Sequence, residues 1–251
     1  MAAADRPARS RRQFLLAAAA LLLVGIFFAL GSWQVQRRAW KLELIARVEQ
    51  RVGAAPVAAP GRERWAQVNR DADEYRHVVV TGTFLNDRET LVQAVTELGP
   101  GFWLLTPLRQ ADGHNVLVNR GFLPPAARDP AVRGAPAPTG PVTVTGLLRL
   151  TEPGGGFLRR NNPAAGRWYS RDVQAIAADR SLADVAPYFI DADAGATDGR
   201  WPVGGLTVVR FHNSHLLYAM TWYVLALMAV VGAGQVLRWE RRKGRTGENG
   251  A

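Results

Sequence analysis

The sequence has no cysteine, only three methionines and only four histidines among its 251 residues. Without thiols there can be no disulfide framework, no thiolate metal site and no haem attached covalently through C-x-x-C-H. So few soft ligands also leave a copper carrier little to work with. No H-E-x-x-H and no Ser-His-Asp order occurs, and "EPGGGF" (Glu152 to Phe157) lacks the Lys-Ser/Thr that would make it a phosphate loop. Nothing resembles a catalytic constellation, and the chain is read as a non-enzyme. Internal repeats are absent too.

Charge is missing from two long stretches. Phe14 to Trp33, "FLLAAAALLLVGIFFALGSW", carries none, and about 20 residues at about 1.5 Å rise span about 30 Å, the thickness of bilayer hydrocarbon. A second run extends from near Leu216 to Leu237, with Gln235 its one strongly polar side chain. Both predict transmembrane helices, because at this length only a helix satisfies every backbone group in lipid. A cleavable leader is the alternative for the first run, since "SRRQFLL" looks like the start of a twin-arginine signal. The run exceeds the about 7–15 residues of a usual leader core, and Ala29-Leu30-Gly31 is a mediocre cleavage site, so a retained anchor is expected.

The cations sit where topology needs them. Arg6, Arg9, Arg11 and Arg12 against Asp5 precede the first run; five cations from Arg238 to Arg245 against Glu240 and Glu248 follow the second. Each tail thus carries about +3 of the formal +10. Both ends are expected in the cytoplasm, although Arg37, Arg38 and Lys41 oppose the bias of the first helix taken alone. A basic chain ordinarily suggests nucleic acid; here topology accounts for the excess, and no nucleic-acid partner is expected.

Between the runs the pattern changes twice. "QVQRRAWKLELIARVEQRV" (Gln34 to Val52) keeps helical spacing, and "GAAPVAAPG" ends it. From Tyr75 onward come short β-branched segments, "YRHVVVTGTFL", "ETLVQAV", "GFWLLTPLR", "HNVLVNRGFL", "VTVTGLLRL", "PYFIDAD" and "LTVVRF", which read as strands. Asp112-Gly113 marks a hairpin turn, "DVQAIAADR" (Asp172 to Arg180) a short helix, and Pro124 to Pro141 a surface loop. The expected fold is an α+β membrane protein. A cytoplasmic tail (1–13) leads to helix 14–33, then a mainly β extracytoplasmic domain (34–213) with a helical extension, helix 214–237 and tail 238–251.

An ionisable side chain at the edge of a span is a functional candidate. His215 opens the second run, with Tyr218 and Trp222 following at i+3 and i+7 on one face. A neutral imidazole beside aromatics suits axial ligation of haem iron; the alternative is an ordinary polar helix start beside Asn213 and Ser214. Trp33, Arg37, Trp40 and Lys41 share a face at the end of the first run, as propionate partners or as interfacial anchors. His212 is a weaker second-ligand candidate, while His77 and His114 read as surface or satisfied residues. Arg120 and Gly121 are expected to set a strand-end turn.

Along nearly its whole length the chain resembles the Surfeit locus protein 1 family of cytochrome c oxidase assembly factors. The resemblance rests on "LGSWQVQRRAWK" (Leu30 to Lys41), "VTGTFL", "GFWLLTPL", "LVNRGFLP", "GLLRLTE", "NNPAAGRWYSRDV" and "NSHLLYAMTWY" (Asn213 to Tyr223), in that order between the two runs. Each is weak singly. Two departures stand out: Ser214 replaces a residue the family often has as Asn or Glu, and Trp103 stands where the family often has His, so no imidazole can act from that position.

The resemblance implies a factor that helps mature the catalytic subunit of the oxidase, with a haem a synthase as a further partner. The short, Ala-rich region of about 13 residues before the first run leaves little room for a transit peptide, so a bacterial inner membrane with the central domain periplasmic is expected. The resemblance also implies transient binding of haem a, with the histidine of the "HLxYAxTW" segment, here His215, as iron ligand. Tyr218 and Trp222 would line the macrocycle, with Arg37 or Arg38 near the propionates. The competing expectation is a cofactor-free scaffold for assembly intermediates.

Overall fold

The computed structural model describes residues 6–134, 136–156, 158–195, 200–207 and 213–248. The chain divides into two compact units, 1–46 with 210–251, and 47–209. In the first, helix α1 (Arg6–Val52) runs unbroken through both the uncharged run and the extension after it, its last residues belonging to the second unit; α4 (His215–Glu248) is the other long helix. Both are long and apolar enough to cross a membrane. Leu21 and Leu227 point outward, 73% and 63% exposed, as side chains do on helices with no aqueous packing partner.

The second unit is built on strands β1 (Val57–Ala58), β2 (His77–Phe84), β3 (Thr90–Thr96), β4 (Gly99–Arg109), β5 (Asn115–Leu123), β6 (Pro141–Leu150) and β9 (Val185–Ala192). A small hairpin, β7 (Gly155–Gly156) and β8 (Arg159–Arg160), and the short helices α2 (Arg70–Asp73) and α3 (Val173–Asp179) complete it. Strand order is β1-β2-β6-β9-β5-β4-β3, and β2 also pairs with the far end of β4 through Thr83–Arg109 and Phe84–Leu108. Five strands, β2-β6-β9-β5-β4, therefore close on themselves, which removes most of the exposed edge that an open sheet must protect. Gly82 sits at the seam. A Cβ there would lie 2.4 Å from the Arg109 carbonyl oxygen, so only glycine admits the close approach.

Alternation fills both faces of the sheet. Val78, Val80, Val116, Val118, Leu148, Tyr188 and Ile190 fill one core, where the Tyr188 hydroxyl donates to the Pro60 carbonyl at 2.7 Å. Val92, Leu105, Leu117 and Phe189 meet Trp168 and α3 on the other face. The expected helix is there, with Asp172 as its N-cap accepting the Ala175 N–H, and so is the turn at Asp112-Gly113. Of the expected closing strand "LTVVRF", Leu206 and Thr207 are not in a strand, and 208–211 lie outside the described residues, as does His212.

Arg120 and Gly121 correct an expectation, because they lie inside β5 and not at a strand-end turn. Trp103 pairs with Phe122 and Leu105 with Asn119, so the two residues Arg120 and Gly121 oppose the single Leu104. This is a β-bulge. Gly121 holds φ 130° there, and the Val203 carbonyl would be 2.2 Å from any Cβ, two separate demands for glycine.

One ion cluster ties the sheet together. Asp191 on β9 is 2% exposed. Its carboxylate accepts from Asn119 Nδ2 at 2.7 Å, Arg149 Nη1 at 3.0 Å and Arg171 Nη1 at 3.0 Å. The same guanidiniums reach Glu74 and Glu152. Burial raises the Glu152 pKa, but the hydrogen bonds and charge of Arg171, with Arg149 behind, outweigh it and hold this carboxyl below its ordinary value. At another corner both ring nitrogens of His77 face acceptors, the Ala54 carbonyl at 2.8 Å and Asp193 Oδ2 at 2.7 Å, and the Asp193 bond raises its pKa.

Two predictions follow from these charges. Asp191→Ala leaves two guanidiniums without their shared acceptor and should cost about 3–5 kcal/mol, read by denaturant unfolding of the purified protein; a loss below about 1 kcal/mol would contradict the cluster's role. Because the His77 pKa is raised in the fold, its contribution is complete below the unfolded value near 6.5 and fades as pH climbs through the folded value. His77→Gln should flatten that alkaline decline in thermal stability, and an unchanged decline would refute the assignment.

Candidate functional site

The candidate site lies in the helix unit. Gln34 Oε1 lies 2.8 Å from His215 Nδ1, the Ser32 and Tyr223 hydroxyls are 3.3 Å apart, and Phe27 stacks on Trp222 with ring centroids 5.8 Å apart. Further along, Leu16 to Leu23 and Ala229 to Leu237 line one apolar cleft of about 310 Å³. Contacts that descend α1 while ascending α4 make the two helices antiparallel neighbours. The α4 face toward α1 is His215, Ala219, Trp222, Ala226 and Ala229, at helical spacing, with Ala219 and Ala226 buried. Small residues allow the approach. Gly31 is the tightest point: a Cβ on it would sit 2.7 Å from the Tyr223 ring.

His215 is half-buried at the first turn of α4. The Ser214 carbonyl accepts the Tyr218 N–H at 3.2 Å, the first backbone bond of the helix, and the imidazole instead turns its Nδ1 to Gln34 on α1. A carboxamide oxygen accepts only, so Nδ1 is the donor to Gln34 Oε1, and in the neutral imidazole this leaves the lone pair on Nε2. This is the arrangement by which an outer hydrogen bond orients a metal-ligating histidine and fixes its tautomer.

The other expected site residues are placed unevenly. Trp222 shares the His215 face, but its ring is already stacked on Phe27, so it is a packing residue of the helix pair. Tyr218 turns to the flank and is 53% exposed. Arg37 and Arg38 stand one turn beyond Gln34 on α1. The Arg37 guanidinium lies 4.8 Å from the Trp40 ring centroid and Arg38 is half-buried. Trp33 and Trp40 are half exposed. His77 and His114 lie in the sheet unit, each beside a carboxylate, Asp193 and Asp112 respectively.

Gln34 is the residue that sequence reasoning passed over. Its signal was modest: one carboxamide directly after an uncharged run, in "GSWQ", where a polar side chain reads equally well as an interfacial residue. Among the described residues no group of three or more His, Asp or Glu converges as a metal cage, so the donor set offered here is a single oriented imidazole.

Known proteins resemble this chain from within α1, through the sheet, into the first turns of α4. The SURF1 family model matches residues 21–227. Surfeit locus protein 1 of Homo sapiens is 38% identical over 224 residues, covering 82% of this chain and 72% of the human protein. The mouse protein of that name is 37% identical over 221 residues, covering 82% and 70%. A SURF1-like protein of Monosiga brevicollis is 38% identical over 229 residues, covering 84% of each.

The tight point at Gly31 yields a test. With Leu23 and Ala229 both changed to Cys in this cysteine-free chain, oxidation should cross-link α1 to α4 in membranes. Adding Gly31→Leu should reduce that cross-link severalfold by wedging Tyr223 away; undiminished cross-linking would show that the helices do not meet there.

Proposed function

The chain belongs to the SURF1 family, and from that membership we propose that it is an assembly factor for a haem–copper oxidase, anchored in a bacterial inner membrane by α1 and α4. In this reading it holds haem a transiently through His215 and assists insertion into the catalytic subunit. The observation that carries the proposal is the Gln34–His215 hydrogen bond, which leaves Nε2 of a neutral imidazole as a free donor at the end of the second helix. Basic flanks on both helices support cytoplasmic tails and a periplasmic sheet unit. Two unbroken helices whose apolar side chains face outward support the anchoring.

These residues fit the group. When bound, haem a would supply an iron that a nitrogen donor such as His215 could hold. Gln34 holds the His215 ring and keeps Nδ1 protonated, so Nε2 presents its lone pair without a competing proton. Tyr218, exposed beside it, offers a phenol face, and Arg37 and Arg38 offer cations for carboxylates. A single side-chain donor suits a carrier, because release requires breaking one bond and not a cage. The cofactor-free scaffold keeps one point in its favour, since Trp222, expected at the macrocycle, already stacks on Phe27.

The proposal is tested by the absorption spectrum and extracted pigment of detergent-purified protein made in cells that synthesise haem a. The wild type should carry close to one haem a and His215→Ala almost none. Gln34→Leu should keep the pigment with affinity reduced about 10–100-fold, the usual effect of losing an outer hydrogen bond to a ligand. Colourless wild type, or equal colour in wild type and His215→Ala, would leave the scaffold standing.

A further inference from the structure

The outer edge of β3 is only partly used. The Trp168 carbonyl accepts the Gln93 N–H at 2.8 Å, and Trp168 bridges to Val92 in parallel. Gln93 therefore turns its amide away from β4, and by alternation so does Val95 two residues on. The register agrees, because Val95 faces Pro100, which has no N–H to give. Beyond Gln93 no other segment among the described residues pairs with this edge.

A groove of about 630 Å³ lies along that free stretch, bounded by Val95, Phe102, Pro125 and Tyr169 and by Gly156 and Arg159 of the β7–β8 hairpin. Two guanidiniums stand on its aromatic rings: Arg159 is 5.5 Å from the Tyr169 centroid and also donates to Gln93 Oε1 at 3.3 Å, and Arg128 is 5.5 Å from the Phe102 centroid. Elsewhere in this unit arginines such as Arg133, Arg149 and Arg171 are paired with carboxylates. Among the described residues, Arg128 and Arg159 have none. Stacking pre-orients the in-plane donors of Arg128, and those of Arg159 not engaged with Gln93, for carboxylate.

The surroundings are unusually apolar for a water-facing edge. Val95 is 84% exposed, and Leu158, at φ 57° on the hairpin tip, is 90% exposed. Natural edge strands are usually protected by charge, proline or cover; here Val95 stands uncovered, with Arg128 and Arg159 at the groove and Glu97 beyond the end of the strand.

We infer that this groove takes an extended, carboxylate-bearing segment of a partner protein as a strand added beside β3. Backbone bonds to Val95 would supply affinity, and Arg128 and Arg159 would select acidic side chains. The inference stands independently of haem binding. An unpaired backbone edge inside a groove also suits a strand better than a flat lipid surface.

The test uses full-length protein in phosphatidylcholine nanodiscs and two fluorescein-labelled hexapeptides, Glu-Val repeats and Lys-Val repeats, followed by fluorescence anisotropy. The acidic peptide should bind about tenfold or more tightly than the lysine peptide, as charge-assisted bonds imply. Arg128→Glu and Arg159→Glu, both on exposed side chains, should each lower acidic-peptide affinity about tenfold. Val95→Pro removes the outward amide without changing charge and should also weaken binding, with thermal melts confirming that each variant is folded. Equal affinity for the two peptides would overturn the inference. So would loss in the arginine variants with Val95→Pro unaffected, which would reduce the groove to a diffuse cationic patch. Peptide binding that is absent while Arg128→Glu and Arg159→Glu abolish adhesion to phosphatidylglycerol vesicles would overturn it in favour of a lipid contact.

Discussion

A carboxylate that cannot reach water governs the sheet unit. Asp191 is buried between strands, and burying an unpaired charge would cost more than most single interactions return. Arg149 from β6, Arg171 from the segment before α3 and Asn119 from β5 converge on it. The charge is thereby neutralised only when four parts of the chain are in register. A one-residue slip of β9 would carry Asp191 to the opposite face and strand the guanidiniums. The cluster therefore specifies register as much as it adds stability, while the apolar side chains on either face supply the bulk of the driving force.

The helix unit obeys a different constraint. Its apolar surface points outward, so burial of hydrophobic area does little to choose between helix pairings, and close packing and polar contacts must decide. Gly31 lets the Tyr223 ring approach, Phe27 stacks on Trp222, and Ser32 and Gln34 meet Tyr223 and His215. The polar contacts gather at one end of the pair. The bond that helps align α1 with α4 also orients the imidazole, so helix alignment and the placing of His215 arise from one hydrogen bond.

Much of this was legible beforehand because it is local. Period-two runs located the strands, Asp112-Gly113 the turn, and the run from Asp172 to Arg180 the helix α3. His215 drew attention because an ionisable group at the edge of a long uncharged run needs a reason to be there. What escaped was set by distant parts of the chain. Closure of the barrel depends on Gly82 meeting Arg109, and the bulge at Arg120-Gly121 depends on Leu104 and Val203. Trp222 looked available for a cofactor until Phe27 proved to be its neighbour. Gln34 looked like one polar side chain among several.

The most direct test of the central claim is chemical rescue at position 215. His215→Gly, purified from cells that make haem a, should lack the pigment, and imidazole added during growth and purification should restore both the haem and the wild-type absorption spectrum. Haem a retained by His215→Gly without imidazole, or pigment that saturating imidazole fails to restore in a protein still folded, would contradict the proposal that His215 is the iron ligand.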